Sequence, residues 1–221
     1  MKSRSLAPTC LAVVAIAAVA GTIAIAQPTK DTKAPAKPSA TQPEHKLPAG
    51  WTEADMQACT EAGTPGKMHE HLTADVGTWT GKSKMWMAPG AEVMESECTY
   101  TITSVMDGRY TRAEMNGEMP GMGTFNGFGL NGYDNVAQKF QSTWIDNHST
   151  GIMFGTGELS PDGKVLTWRY TYNCPITKKP AVLREVDTRT GDNTRKLEMY
   201  GNDPKSGKEF KMMEIQFTRG K

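Results

Sequence analysis

The sequence predicts a mainly β fold, an antiparallel up-and-down barrel of about ten strands that closes on itself, with a short N-terminal helical plug. Three observations carry this prediction. After Gly77 the helical period disappears, and strand follows turn to the C-terminus. The breaks carry recognisable turn chemistry, such as Ala88-Pro89-Gly90, Asp107-Gly108, Gly132-Tyr133-Asp134-Asn135, Pro161-Asp162-Gly163 and Asp203-Pro204-Lys205-Ser206-Gly207. A long meander leaves two unpaired edges unless its ends meet, so closure is the expected solution.

Taken in order, Lys2 and Arg4 precede an apolar stretch from Leu11 to Ile25 and the small-residue step Ala24-Ile25-Ala26. That is the order of a secretory signal peptide over residues 1–26. A retained anchor is the competing reading, because the run approaches the ~20 residues that span a bilayer. Cys10 follows Thr9 and precedes the apolar region, the wrong order for a lipoprotein. The expected protein is exported, periplasmic or extracellular, and not inserted in a membrane once the leader is cut.

Residues 27–50 intersperse Pro28, Pro35, Pro38, Pro43 and Pro48 with Lys, Thr, Ala and Ser. Such a segment buries too little to offset its ordering entropy and reads as a disordered tether. The whole chain has 25 basic and 24 acidic residues. Without Lys2 and Arg4, and without the tether's Lys30, Lys33, Lys37, Lys46, Asp31 and Glu44, the balance is 19 against 22, or about −3. A slightly acidic domain has no electrostatic reason to bind nucleic acid.

Residues 51–221 suffice for one domain with a sizeable core. Thr52-Glu53-Ala54-Asp55 resembles an N-cap, with a helix to about Ala62; a second runs from about Pro65 to Ala74, Pro65 near its first position. Strands are expected near 78–87, 94–106, 109–117, 123–132, 138–147, 150–159, 164–173, 181–190, 194–201 and 208–219. Alternation puts Met213, Ile215, Phe217, Leu197 and Met199 on one face, taken as inward, and Lys196, Glu198, Glu214 and Gln216 on the other.

Gly77 is expected to end the plug and permit a close backbone approach, delivering Trp79 to the barrel's closed end. Arg219, near the C-terminus, is placed to cover that indole by cation–π contact and to tie the two ends of the meander together. A first-strand Gly-x-Trp met by a distant Arg resembles the lipocalins and related calycin-like barrels. The combination goes further: His69-x-x-Leu72, Val76-Gly77-Thr78-Trp79, Lys84-Met85-Trp86-Met87-x-Pro89-Gly90, Ser142-Thr143-Trp144-Ile145-Asp146-Asn147 and Glu198-Met199-Tyr200. From about His69 to Arg219 the chain resembles the bacterial domain-of-unknown-function family 1579 (DUF1579). That resemblance implies a lipocalin-like fold and supplies no catalytic residues.

Three cysteines follow the leader: Cys59, Cys98 and Cys174. One disulfide and one leftover thiol is the simplest arithmetic for an exported protein; spacing does not choose the pair, and Cys98 with Cys174 is preferred. Gly77-Thr78-Trp79-Thr80-Gly81-Lys82-Ser83 is similar to the nitrobindin haem-barrel pattern, but Ser83 replaces its last glycine and no histidine follows His148. Met115, Met119 and Met122 raise Cu(I) binding, though Met equally serves as an adaptable core filler. His69 and His71, two apart on a helix, do not face one ion, so a surface or capping role is preferred. No cofactor or metal is expected.

Acid pairs, Glu114 with Glu118 and Asp134 with Asp146, would serve catalysis only if they converged. Arg109 and Arg169 are further polar groups for a cavity mouth. The preferred reading is a non-catalytic binder of a small apolar or amphipathic molecule, held by Trp144, Asp146, Trp86, Tyr133, Met199 and Met213. An enzyme using pocket carboxylates comes second, and an interaction module with a filled barrel third.

Overall fold

The computed structural model describes residues 47–220. The expected signal peptide, and residues 27–46 of the expected tether, lie outside them.

Thr52 caps α1 (Glu53–Gly63) through a reciprocal box: its Oγ1 accepts from the Asp55 N–H, and the Asp55 carboxylate accepts from the Thr52 N–H. No α1 residue is buried. Its C-terminal carbonyls are taken by barrel side chains, Asn135 Nδ2 on Glu61, Ala62 and Thr64 and Arg109 Nε on Gly63. The second helix, α2 (Lys67–Thr73), starts later than the proline suggested. Gly66 is its N-cap, because the Gly66 N–H donates to His69 Nδ1 at 3.0 Å, and Pro65 stays outside. Leu72 and His69 are the residues α2 buries.

Ten strands follow: β1 (Gly77–Met85), β2 (Met94–Val105), β3 (Tyr110–Met119), β4 (Gly123–Asp134), β5 (Lys139–Asp146), β6 (Met153–Leu159), β7 (Val165–Asn173), β8 (Pro180–Gly191), β9 (Thr194–Asn202) and β10 (Glu209–Arg219). Every neighbouring pair is antiparallel and the ladder closes, with β10 lying between β1 and β9. The closing register sets Trp79 opposite Arg219 and Met85 opposite Met213. β6 starts three residues later than expected, because Ser149 to Ile152 are spent in the connecting loop.

All odd-numbered strands begin at the helical end and all even-numbered strands finish there, so the helices, the start of β1, the end of β10 and the 106–109, 135–138, 160–164 and 192–193 turns share one end. The other end carries the 86–93, 120–122, 147–152, 174–179 and 203–208 loops. Two buried clusters form opposite walls. One is built on Trp79, Tyr100, Ile102, Met115, Ile215 and Phe217, the other on Leu72, Phe140, Leu166, Trp168, Tyr170 and Leu183. Trp144 and Met199 pack on both.

At the helical end Trp79 is 2% exposed and donates from Nε1 to the Asp75 carbonyl at 2.9 Å. The Arg219 guanidinium lies 4.2 Å from its ring centre, and its Nη atoms donate to the carbonyls of Val76 and Ala74. Gly77 has φ +141, and a Cβ there would meet Arg219 Nη1 at 3.2 Å. The glycine thus makes room for the arginine that seals the barrel.

Candidate functional site

Between the two walls lies a cavity of about 370 Å³, within the size range of small-molecule sites. It runs from His71, Leu72 and Asp75 at the plug to Phe125, Met119 and His148 at the opposite end. Strand alternation builds its lining: Met213 and Ile215 on β10, Leu197 and Met199 on β9, Trp168 and Tyr170 on β7 all face in, while Glu198, Glu214 and Lys196 pair outside.

Trp144 holds a defined place in this lining. A Cβ on Gly127 would meet its Cζ2 at 2.5 Å, and one on Gly129 its Cε3 at 3.2 Å, so the indole lies across two bare backbone positions of β4. Its Nε1 donates to Asp146 Oδ2 at 3.2 Å, and both side chains line the cavity, as their shared strand parity requires. Ser142, two residues earlier on that face, is 2.9 Å from the Tyr170 hydroxyl and donates to Asn131 Oδ1.

Of the six expected ligand-site residues, Trp144, Asp146, Met199 and Met213 line the cavity, and Trp86 and Tyr133 do not. Trp86 continues β1 on the phase opposite to Trp79, Ser83 and Met85, and sits under the Lys211 ammonium, 5.6 Å from its ring centre. Tyr133 has the inward phase but lies too near the plug; its ring packs edge-on against Phe140 at 4.9 Å and His69 at 5.9 Å. Arg109 is occupied with α1, and Arg169 is exposed on the outer face of β7.

The expected disulfide is corrected: Cys59, Cys98 and Cys174 are free. β2, which holds Cys98, and β7, which leads into Cys174, stand five places apart around a ring of ten, too far for the ~5.5 Å Cα separation a disulfide needs. Cys98 lines the cavity, and burial pushes its thiol up to about 11. The acid pairs do not converge either. Glu114 faces outward against Arg112, while Asp134 closes a turn at the helical end and Asp146 lies at the other. His69 has the expected capping role but is buried, not at the surface. Met115 and Met119 line the cavity, and Met122 is exposed at a hairpin tip.

The plug end of the cavity holds a polar pole. Arg195, 4% exposed, donates from Nε to Asp187 Oδ1 at 3.1 Å and from Nη2 to Oδ2; its Nη1 is 3.7 Å from Asp75 Oδ2 and has no hydrogen-bond partner. Its guanidinium lies 5.4 Å from the Trp79 ring centre and 5.7 Å from that of Tyr100. Arg189 donates to both Asp75 oxygens, at 3.2 and 3.0 Å, and to the His71 carbonyl, and its Nη1 is 3.0 Å from His71 Nδ1. Burial, with Arg189 and Arg195 beside it and Asp75 opposing, drives the His71 imidazole down to about 4, so it is neutral. Burial pushes Glu185 up to about 7, against the pull of Arg195, and Tyr100 up to about 12.

Sequence reasoning missed this pole. The signal was present in the phase of two strands: Glu185, Asp187 and Arg189 share the face of Leu183, and Arg195 shares that of Leu197 and Met199. Charged residues on the inward phase of adjacent strands are costly unless paired, which marks them for attention.

The model of the family described as "Protein of unknown function (DUF1579)" matches residues 64–219. No curated protein matches. Among solved structures, the S-type phycobiliprotein lyase CPES from Guillardia theta is similar over 74% of this chain and 97% of its own, with 12% identity and a TM-score of 0.51. Rv2717c from M. tuberculosis is similar over 72% of this chain and 100% of its own, with 13% identity and a TM-score of 0.52. At such identities the likeness is one of fold.

Proposed function

We propose that this chain, which belongs to the DUF1579 family, is a non-catalytic binder of a small apolar or amphipathic molecule held inside its barrel. The observation that carries the proposal is the cavity: about 370 Å³, walled by aromatic and Met side chains, with a buried charged pole of Arg195, Asp187, Asp75 and Glu185 at the plug end and Glu118, Asp146 and His148 at the other. Apolar walls supply non-directional affinity, and a polar pole orients the occupant. The abundant methionines suit a lining that adapts to its ligand. Against catalysis, His71 is engaged by Arg189, and the Asp75 and Asp187 carboxylates are both engaged by arginines. A filled barrel is disfavoured by the open volume itself.

The proposal includes export, supported by the leader order of residues 1–26. N-terminal sequencing of the protein recovered from its own host is expected to begin at Gln27; a start at Met1 counts against a cleaved leader, and recovery from the cytoplasm counts against export. For binding, native mass spectrometry of the same material is expected to show a non-covalent adduct that organic extraction removes. Protein that carries no adduct, and that takes up no solvatochromic apolar probe with a change in tryptophan emission, would sink the proposal.

A further inference from the structure

Glu185 is set apart from the other charges of the cavity. Arg195 is clamped by Asp187, and Arg189 by Asp75, so the two arginines and two aspartates balance. His71 is neutral. Among the described residues Glu185 has no hydrogen-bond or salt-bridge partner, although it lines the cavity. Its strand register places it between Trp168 of β7 and Met199 of β9, with Leu183 and Asp187 as its same-face neighbours on β8. Arg195 of β9, Tyr100 of β2, Thr111 of β3, Asn131 of β4, Tyr170 of β7, and His71 and Asp75 at the plug are the other polar groups lining this end.

An occupant that fills the hollow strips Glu185 of water, and among the described residues no group donates to it, the unpartnered Arg195 Nη1 included. A buried carboxylate left without a donor is costly, so the occupant must bring one. The ionised carboxylate also gives the pole one unbalanced negative charge, which an anionic head would worsen. The Trp168 and Tyr170 rings and the Asn131 side-chain oxygen, all on the cavity lining, suit a cation with several N–H donors. We infer that the barrel takes an apolar molecule ending in a protonated amine, with Glu185 as its counter-charge. This rests on the reading that the cavity binds a small molecule.

The test compares decylamine, decanol and decanoate by isothermal titration with the full chain, below their micelle concentrations, at pH 8 and pH 5.5. At pH 8 decylamine is expected to bind about tenfold more tightly than decanol, with decanoate weakest. The preference should shrink severalfold at pH 5.5, where Glu185 is protonated while the alkylammonium keeps its charge. Glu185→Gln should abolish the amine preference at pH 8, so that decylamine binds no more tightly than decanol. Equal affinity for decylamine and decanol, or an amine preference that survives both Glu185→Gln and pH 5.5, overturns the inference and leaves the cavity reading standing. Failure of all three to bind removes the cavity reading and the inference with it. Should Glu185→Gln not fold, the pH comparison on the unsubstituted chain decides.

Discussion

The two ends of the barrel use the same residue types to opposite effect. At the helical end, Arg195 pairs with Asp187 at 5% and 12% side-chain exposure, Trp79 lies against two guanidinium groups, and Arg219 caps the carbonyls that lead out of α2. At the loop end, the bidentate pair of Arg184 with Glu209 stands at 24% and 49% exposure, and the apolar side chains of Met87, Met122, Ile152 and Ile176 face solvent. An ion pair removed from water is expensive to break by halves, whereas one in water contributes little. The difference teaches that buried ion pairs and the Trp79 seal hold the helical end shut, while the strands at the loop end are joined by pairs that water reaches.

The sharpest way to break this comparison is to cut the closed end. Trp79→Ala should cost about 3–5 kcal/mol in urea unfolding, because it opens a cavity and strands both arginines. Trp86→Ala at the loop end should cost less than about 1.5 kcal/mol; equal losses would refute the division. Arg195→Met leaves Asp187 buried and unpaired, and is expected to lose about 3–5 kcal/mol, while Arg184→Met loses about 1 kcal/mol or less.

Titration sharpens the closed end further, because two groups there act with opposite sign. His71 falls to about 4 in the fold, so its contribution to stability is full above the ordinary imidazole value of 6.5 and is lost as pH falls through 4. Glu185 rises to about 7, so its contribution is full below 4.5 and is lost as pH rises through 7. Between these values the two slopes oppose. Thermal melts of Glu185→Gln should therefore show stability rising more steeply from pH 4.5 to 6.5 than in the unsubstituted protein, and His71→Gln a shallower rise or a fall. Parallel profiles for all three proteins would show that neither group is perturbed as described.

The smallest effects belong to the cavity wall. Gly127→Ala adds a methyl whose nearest neighbours are Trp144 side-chain atoms, so it should tilt the indole into the hollow, lowering stability by about 1 kcal/mol and apolar-probe affinity severalfold. Gly129→Ala meets the Thr143 carbonyl at 1.9 Å and should cost more stability than Gly127→Ala, by about 1–3 kcal/mol, through the β4–β5 ladder. If the order of the two reverses, the account of how Trp144 is seated fails.

Much of this architecture was legible in one dimension. Alternation along β9 and β10 placed Leu197, Met199, Met213 and Ile215 inward, and Gly77, Trp79 and Arg219 announced how the ends would meet. Trp144 and Asp146 were legible as a pair because strand parity is local. Trp86 and Tyr133 were misassigned for want of depth and phase: one lies on the outer side of its strand, the other at the level of the plug. Cys98 and Cys174 looked pairable because sequence does not measure the distance around a ring.

By itself, then, the sequence determined the number of strands, the inward face of most of them and the aromatic seal, because pleat and turn chemistry repeat over two to four residues. Only the tertiary structure decided that Glu185 would stand unpaired while Asp187, Asp75 and His71 found arginines, and that the hollow between the walls would stay open. Those outcomes depend on which strands become neighbours and how far across the barrel side chains reach. Such distances are set by closure, and closure is a property of the whole ladder.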